Sequence, residues 1–160
     1  MVCTGAAGGI GRAVTAAFAA SGARVLAVDL DEAAARASIA DLPGDGHAAI
    51  GLDLGDLASH EVLVRTAREQ LGSLDVLAHL AAVLQRRSVI TEVTEADWDL
   101  QADVNLKATF FLCRAVAEEM KAAGRGGRIV TFASQGWWTG GFGGSIVYAA
   151  TKGGIVTMTR

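Results

Sequence analysis

Short apolar runs alternate with helix-length segments along the whole of this chain, and that alternation limits the fold more than any other feature. "VCTG" ends a strand in a glycine turn, and "RVLAVDL", "HAAIGLDL", "LDVLAHLAAV" and "GRIVTFAS" read as four further strands. Between them lie "GIGRAVTAAFAASG", closed by Gly22, and "DEAAARASIADL", ended by Pro43 and Gly44. "DLASHEVLVRTAREQLG" follows, with Leu57, Val62, Leu63, Thr66 and Leu71 along one face. Thr94, with Asp97 three residues on, makes a capping box for a long helix reaching about Ala123, and a last helix opens near Val147. Strands that are apolar on both faces and separated by helices specify a doubly wound parallel α/β sheet with helices on both faces. A single domain over residues 1–160 is expected.

Several function classes are excluded at this level. The formal net charge is −3, and the longest basic cluster, Arg86-Arg87, reads as a solvated loop, so no nucleic-acid partner is expected. No apolar run is long enough to cross a bilayer, and no basic-then-apolar leader opens the chain, so no membrane partner is expected either. Cys3 and Cys113 fall in neither CxxC nor metal-ligand spacing and read as reduced thiols of a cytoplasmic protein. His47, His60 and His79 also lack metal spacing, and no metal site is expected.

The first chemical signal is "TGAAGGIG", Thr4 to Gly11, placed between a strand and a helix. Gly5 permits a tight exit from the strand, Gly9 lets backbone approach a ligand, and Gly11 lets helix and sheet pack closely. The N–H groups and dipole of the new helix favour a pyrophosphate. Asp29, 18 residues after Gly11, ends the second strand where a carboxylate accepts hydrogen bonds from an adenosine ribose. It repels a 2′-phosphate, so NAD is favoured over NADP; helix capping is the competing role, for which Asp31 is better placed. The second signal is Tyr148, the only tyrosine, four residues before Lys152 and so on the same helix face. An ammonium beside a phenol lowers its pKa from about 10, making it a general acid/base. A surface aromatic beside a solvated lysine is the bland alternative. Ser134 closes the fifth strand at the sheet edge where ligands of such folds bind. Asn105 sits mid-helix, an unfavourable place for asparagine unless its amide has a task.

These residues, in this order and over essentially the whole chain, resemble the short-chain dehydrogenase/reductase family. The resemblance implies Tyr148 as general acid/base and Ser134 orienting the substrate. It implies that Lys152 lowers the tyrosine pKa and binds the nicotinamide ribose, and that Asn105 holds a water that links Lys152 to solvent. It also implies a nicotinamide cofactor held by Gly5, Gly8, Gly9, Ile10, Gly11, Asp29, Asp53, Leu54 and Ala81, with Tyr148 and Lys152 also in contact. The implied substrate is a small or medium alcohol/ketone, and the implied assembly is a homo-oligomer through the helix carrying Asn105 and its run Phe110, Phe111, Leu112 and Val116.

Three departures from the family pattern stand out. "HLAA" (His79 to Ala82) replaces an N-N-A-G-like segment, so the asparagine that ties the central strand is missing; His79 either takes over its hydrogen bond or simply packs. Ser134 and Tyr148 are 14 residues apart, one more than the commonest family spacing. The glycine-rich loop between them carries Trp137 and Trp138, which line the substrate pocket or only cover the crevice. Both ends look clipped, with the last strands of the full family domain lacking. A catalytically inactive fragment, or a nucleotide-binding or partner-binding domain of the same descent, is the alternative to an active enzyme. An α/β hydrolase using Ser134 is excluded, because no G-x-S-x-G surrounds it.

Overall fold

The computed structural model describes residues 1–159; Arg160, the end of the terminal segment read above, lies outside the described residues. Five parallel strands form one sheet in the order β3-β2-β1-β4-β5, the expected doubly wound arrangement. They are β1 (Val2–Thr4), β2 (Leu26–Asp29), β3 (Ala48–Gly51), β4 (Val76–His79) and β5 (Arg128–Thr131). The three-residue β1 is the centre of the sheet, with no exposed residue.

Alternation along the strands sends side chains to opposite faces, and the core divides accordingly. Val2, Leu26, Val28 and Leu77 face one side, where α3 (Ala58–Leu71) and α5 (Ala108–Ala122) contribute Leu63, Ala67, Leu71, Leu112 and Val116. Cys3, Ala27 and Ala78 face the other, against α1 (Gly9–Ala20) and α2 (Glu32–Ile39). The small residues of β1, β2 and β4 on this second face match the small-residue helix that covers them.

Four details differ from the sequence expectation. Helix α2 stops at Ile39 and passes through a turn, Leu42 N–H donating to the Ile39 carbonyl at 3.3 Å, before Pro43 is reached. The inward face of α3 is Ser59, His60, Leu63, Ala67 and Leu71; Leu57 precedes the first helical residue and is exposed. The long helix starts at the Thr94–Asp97 box as α4 (Glu95–Ala102), but Asp103–Lys107 form a π-turn before α5 continues it. Finally, the loop after Ser134 contains one helical turn, α6 (Gly136–Thr139), ahead of α7 (Ile146–Met158).

Candidate active site and cofactor cleft

At the carboxyl edge of the sheet the glycine turn is built as its residues require. Gly5 sits at φ +64°, and a Cβ there would stand 2.9 Å from the Ala81 nitrogen. A Cβ at Gly11 would stand 2.8 Å from the Ala6 Cα and collide with the Gly5 carbonyl, so α1 rests directly on the turn. Gly9 meets no protein atom within 4 Å of its Cβ position, so packing does not explain it. Helix α1 opens with Gly8 as N-cap, without a capping side chain or an acidic residue in its first turn.

A cavity of about 630 Å³ opens against this turn. Of the residues the resemblance assigns to the cofactor, Gly5, Gly8, Asp29, Asp53, Leu54 and Ala81 line it; Ile10 is exposed and Gly9 and Gly11 are not among its lining residues. The Asp29 carboxylate accepts from the Ala7 N–H at 3.0 Å and from the Leu30 N–H at 2.9 Å, which fixes its orientation and leaves lone pairs for further donors. Asp31, not Asp29, caps α2, accepting from the N–H groups of Ala33 and Ala34 at 2.9 and 3.1 Å. The charged residues that line the cavity, Asp29, Asp53 and Asp103, are all carboxylates.

His79 replaces the missing asparagine tether and is not merely packed. The Ala81 N–H donates to Thr4 Oγ1 at 3.2 Å, and Thr4 Oγ1 pairs with His79 Nδ1 at 2.7 Å. His79 Nε2 pairs with Thr109 Oγ1 at 3.0 Å, and the Thr109 hydroxyl donates to the Asn105 carbonyl at 2.6 Å. The Thr109 proton is thereby used, so Nε2 carries the imidazole hydrogen and Nδ1 accepts from Thr4. Every proton in the chain has one acceptor. Burial, reinforced by the Lys152 charge, lowers the His79 pKa to about 3, so the imidazole is neutral.

Asn105 has the task its mid-helix position implied. It is fully buried, its Oδ1 accepts from the Val83 N–H and its Nδ2 donates to the Val83 carbonyl, both at 2.8 Å. Nδ2 also lies 3.4 Å from Thr151 Oγ1 on α7. One turn earlier Gln101 Oε1 accepts from the Gln85 N–H at 3.1 Å, and one turn before that Asp97 takes both Arg87 contacts at 2.8 Å. Asp97, Gln101, Asn105 and Thr109 therefore hold Arg87, Gln85, Val83 and His79 in a ladder of i, i+4 steps. Arg87 is a half-buried ion-pair partner rather than part of a solvated loop.

A second cavity, of about 460 Å³, holds Ser134 and Tyr148 together with Leu84, Arg86, Gln135, Thr139, Phe142 and Ser145. The segment after β4 thus lines both cavities, Leu80 to Val83 the first and Leu84 with Arg86 the second. The Ser134 hydroxyl accepts from the Gly136 N–H at 3.3 Å, so the α6 turn orients it. Trp137 and Trp138 stack on each other outside this lining set, Trp138 at 73% exposure; the aromatic residues that line the cavity are Tyr148 and the exposed Phe142.

Lys152 is buried one turn after Tyr148, with Nζ 5.4 Å from the phenol ring centroid and donating to the Phe132 carbonyl at 2.7 Å. Burial lowers its pKa to about 8. The expected lowering of the tyrosine pKa is not what this arrangement gives. Burial raises the Tyr148 pKa, and the ammonium is directed at the Phe132 carbonyl just after β5 rather than at the phenol oxygen. Lys152 reaches neither Asn105 nor the lining of either cavity.

Sequence reasoning missed Thr4, Val83, Arg86, Gln101 and Thr109. The signal for one of them was available: Gln101 stands four residues before Asn105 in an apolar helix, and both carboxamides face inward.

The sequence profile of the short chain dehydrogenase family matches residues 1–160. Sorbitol dehydrogenase from Cereibacter sphaeroides is 38% identical over 98% of this chain and 60% of its own length. D-threitol dehydrogenase from Mycolicibacterium smegmatis is 38% identical with the same coverages. The crystal structure of a short-chain dehydrogenase/reductase of the glucose/ribitol dehydrogenase type from Brucella melitensis superposes with a TM-score of 0.89 and 35% identity, covering 99% of this chain and 63% of that one. The chain thus spans about 60% of the length of the curated relatives it matches.

Proposed function

The chain belongs to the short chain dehydrogenase family, and from that premise we propose an oxidoreductase that transfers a hydride between NAD(H) and a small or medium alcohol/ketone, with Tyr148 as general acid/base. The observation that carries this reading is the junction of two cavities at Leu80–Arg86: one is built on a glycine turn and a ribose-suited carboxylate, the other holds Ser134 and Tyr148.

The first cavity fits a dinucleotide. Gly5 and Gly11 let the turn, the segment after β4 and α1 pack too closely for any Cβ, and α1 offers its N–H groups without an acidic residue to oppose a pyrophosphate. Asp29 would accept the adenosine ribose hydroxyls, and Asp53 and Leu54 would lie against the adenine. The charged lining residues are carboxylates, which supports NAD over NADP, since no lysine or arginine is among them to neutralise a 2′-phosphate. When bound, the nicotinamide supplies the hydride acceptor or donor.

The chain's own residues then divide the proton chemistry. Ser134 Oγ orients the substrate oxygen, and the Tyr148 phenol takes the alcohol proton or returns it to the carbonyl. Lys152, one turn after Tyr148, would hold the nicotinamide ribose and act on the phenol only with its ammonium released from the Phe132 carbonyl. A water on the Oδ1 lone pair that Val83 leaves to Asn105 would complete the relay.

Assembly as a homo-oligomer uses the face of the Asn105-bearing helix. Leu112 and Val116 are spent on the core, which leaves Leu106, Phe110 and Phe111, with Met158 of α7, along a groove for the partner. Two unbridged thiols, Cys3 and Cys113, support a reducing cytoplasmic setting.

The test is a tryptophan-fluorescence titration with NADH and NADPH, followed by assay of Tyr148→Phe. NADH should bind more tightly, and Asp29→Ala should narrow the preference. Tyr148→Phe should keep cofactor affinity and lose about a thousandfold in turnover. Tighter NADPH binding, or a phenylalanine variant with wild-type turnover, would sink the reading.

A further inference from the structure

The substrate cavity contains one charged side chain, Arg86, among Leu84, Ser134, Gln135, Gly136, Thr139, Gly140, Phe142, Ser145 and Tyr148. Its setting differs from that of its neighbour. Arg87 is neutralised by a bidentate pair with Asp97, whereas Arg86 makes no ion pair among the described residues. Among the described residues its side chain makes one hydrogen bond, from Nη1 to the Gly143 carbonyl at 2.9 Å. That bond and the one from the Arg87 N–H to the Gly144 carbonyl, at 3.0 Å, hold the guanidinium against the glycine loop. Both loop glycines are at positive φ, and a Cβ on Gly143 would stand 2.8 Å from Arg86 Nη1, so this exposed side chain lies directly against the loop.

A guanidinium anchored through one nitrogen keeps its remaining N–H donors in a planar fork, the geometry that pairs with an anionic oxygen group. The rest of the polar lining, Ser134, Gln135, Thr139 and Ser145, is neutral and able both to donate and to accept, which suits a row of hydroxyls. We propose that Arg86 is a specificity-determining residue and that the substrate is a polyhydroxylated anion, a sugar-sized chain ending in a carboxylate. The carbinol lies at Ser134 and Tyr148, and the charged end lies at Arg86. A neutral polyol fills the same cavity but leaves the fork without its anion. The assignment rests on the reading of Ser134 and Tyr148 as the catalytic pair.

The experiment titrates the 160-residue chain, with and without NADH, with D-gluconate, sorbitol and sorbitol 6-phosphate. Tryptophan fluorescence follows binding, since Trp137 and Trp138 belong to the same loop. Gluconate should bind about tenfold more tightly than sorbitol, and added salt should shrink that margin. Arg86→Gln should bring the two ligands to parity, and Arg86→Lys should restore part of the margin. An Arg86-dependent preference for the phosphate over gluconate would keep the anion site and change the anion's source. Equal binding of gluconate and sorbitol by the wild type, or a preference that survives in Arg86→Gln, would overturn the proposal. NADH formation from each ligand separates this inference from the one it rests on. Arg86-dependent binding without turnover would sink the dehydrogenase reading alone, and equal turnover of sorbitol and gluconate would sink the Arg86 assignment alone.

Discussion

His79 shows how much one residue does when its hydrogen bonds are complete. Thr4, His79 and Thr109 come from β1, β4 and α5, so the imidazole joins the centre of the sheet to the helix that carries Asn105. Replacing it with leucine takes the acceptor from the buried Thr4 hydroxyl and one donor from the Thr109 hydroxyl, and should cost on the order of 1–3 kcal/mol in urea unfolding, with asparagine recovering part of the loss. Its pKa of about 3 also sets a pH window. Below about 6.5 the unfolded histidine takes a proton that the folded one refuses, so stability falls as pH drops from there toward 3. His79→Asn should flatten that part of the wild-type profile. Lys152 acts in the alkaline range. Its folded pKa of about 8 lies below the ordinary 10.5, so the burial penalty is carried in full below 8 and relieved as pH rises to 10.5. Cys3 and Cys113, whose pKa values burial raises from 9.0 to about 12 and 11, oppose it from 9.0 upward. The difference between wild type and Lys152→Met isolates the lysine and should move in favour of wild type with rising pH.

Among the elements, the long helix with its π-turn decides the geometry of the site. Asp97, Gln101, Asn105 and Thr109 are spaced by four, and three such steps in a regular α-helix would rotate the last side chain by about 120° from the first. The π-turn at Asp103–Lys107 admits one extra residue and takes back about 100°, so all four side chains reach the segment from His79 to Arg87. That segment has no sheet partner for Val83 and Gln85, and the two carboxamides supply what a neighbouring strand would have supplied. Amide hydrogen exchange checks this directly. Gln101→Ala should release the Gln85 amide while Val83 stays protected, and Asn105→Ala should release Val83. If neither amide exchanges faster, the ladder does not hold the segment.

On the scale of the whole molecule, the two cavities lie along one edge of the sheet because the glycine turn, the segment after β4 and the loop after β5 all leave parallel strands at their carboxyl ends. The face opposite the core on α5 presents Phe110 at 50% exposure beside Leu106 and Met158. Light scattering should therefore show an assembly larger than one chain, and Phe110→Glu should shift it toward monomer; a wild-type monomer would remove the homo-oligomer from the proposal.

Much of this molecule was determined by its sequence alone. Periodicity, caps and turn glycines act within a few residues, so the five strands, the doubly wound class, the Thr94–Asp97 box and the Asp31 cap were all legible. The structure puts Gly5, Asp29 and Ala81 at one cavity and Ser134 with Tyr148 at the other. Only the tertiary structure decided the partners. Thr4 and His79 are 75 residues apart, and nothing local distinguishes a histidine that bridges two threonines from one that packs. The π-turn follows from what the helix must reach, and the different fates of Arg86 and Arg87 follow from which lies opposite Asp97. Lys152 is the clearest case: its spacing from Tyr148 put the two on one face, while burial and the Phe132 carbonyl decided where its charge points.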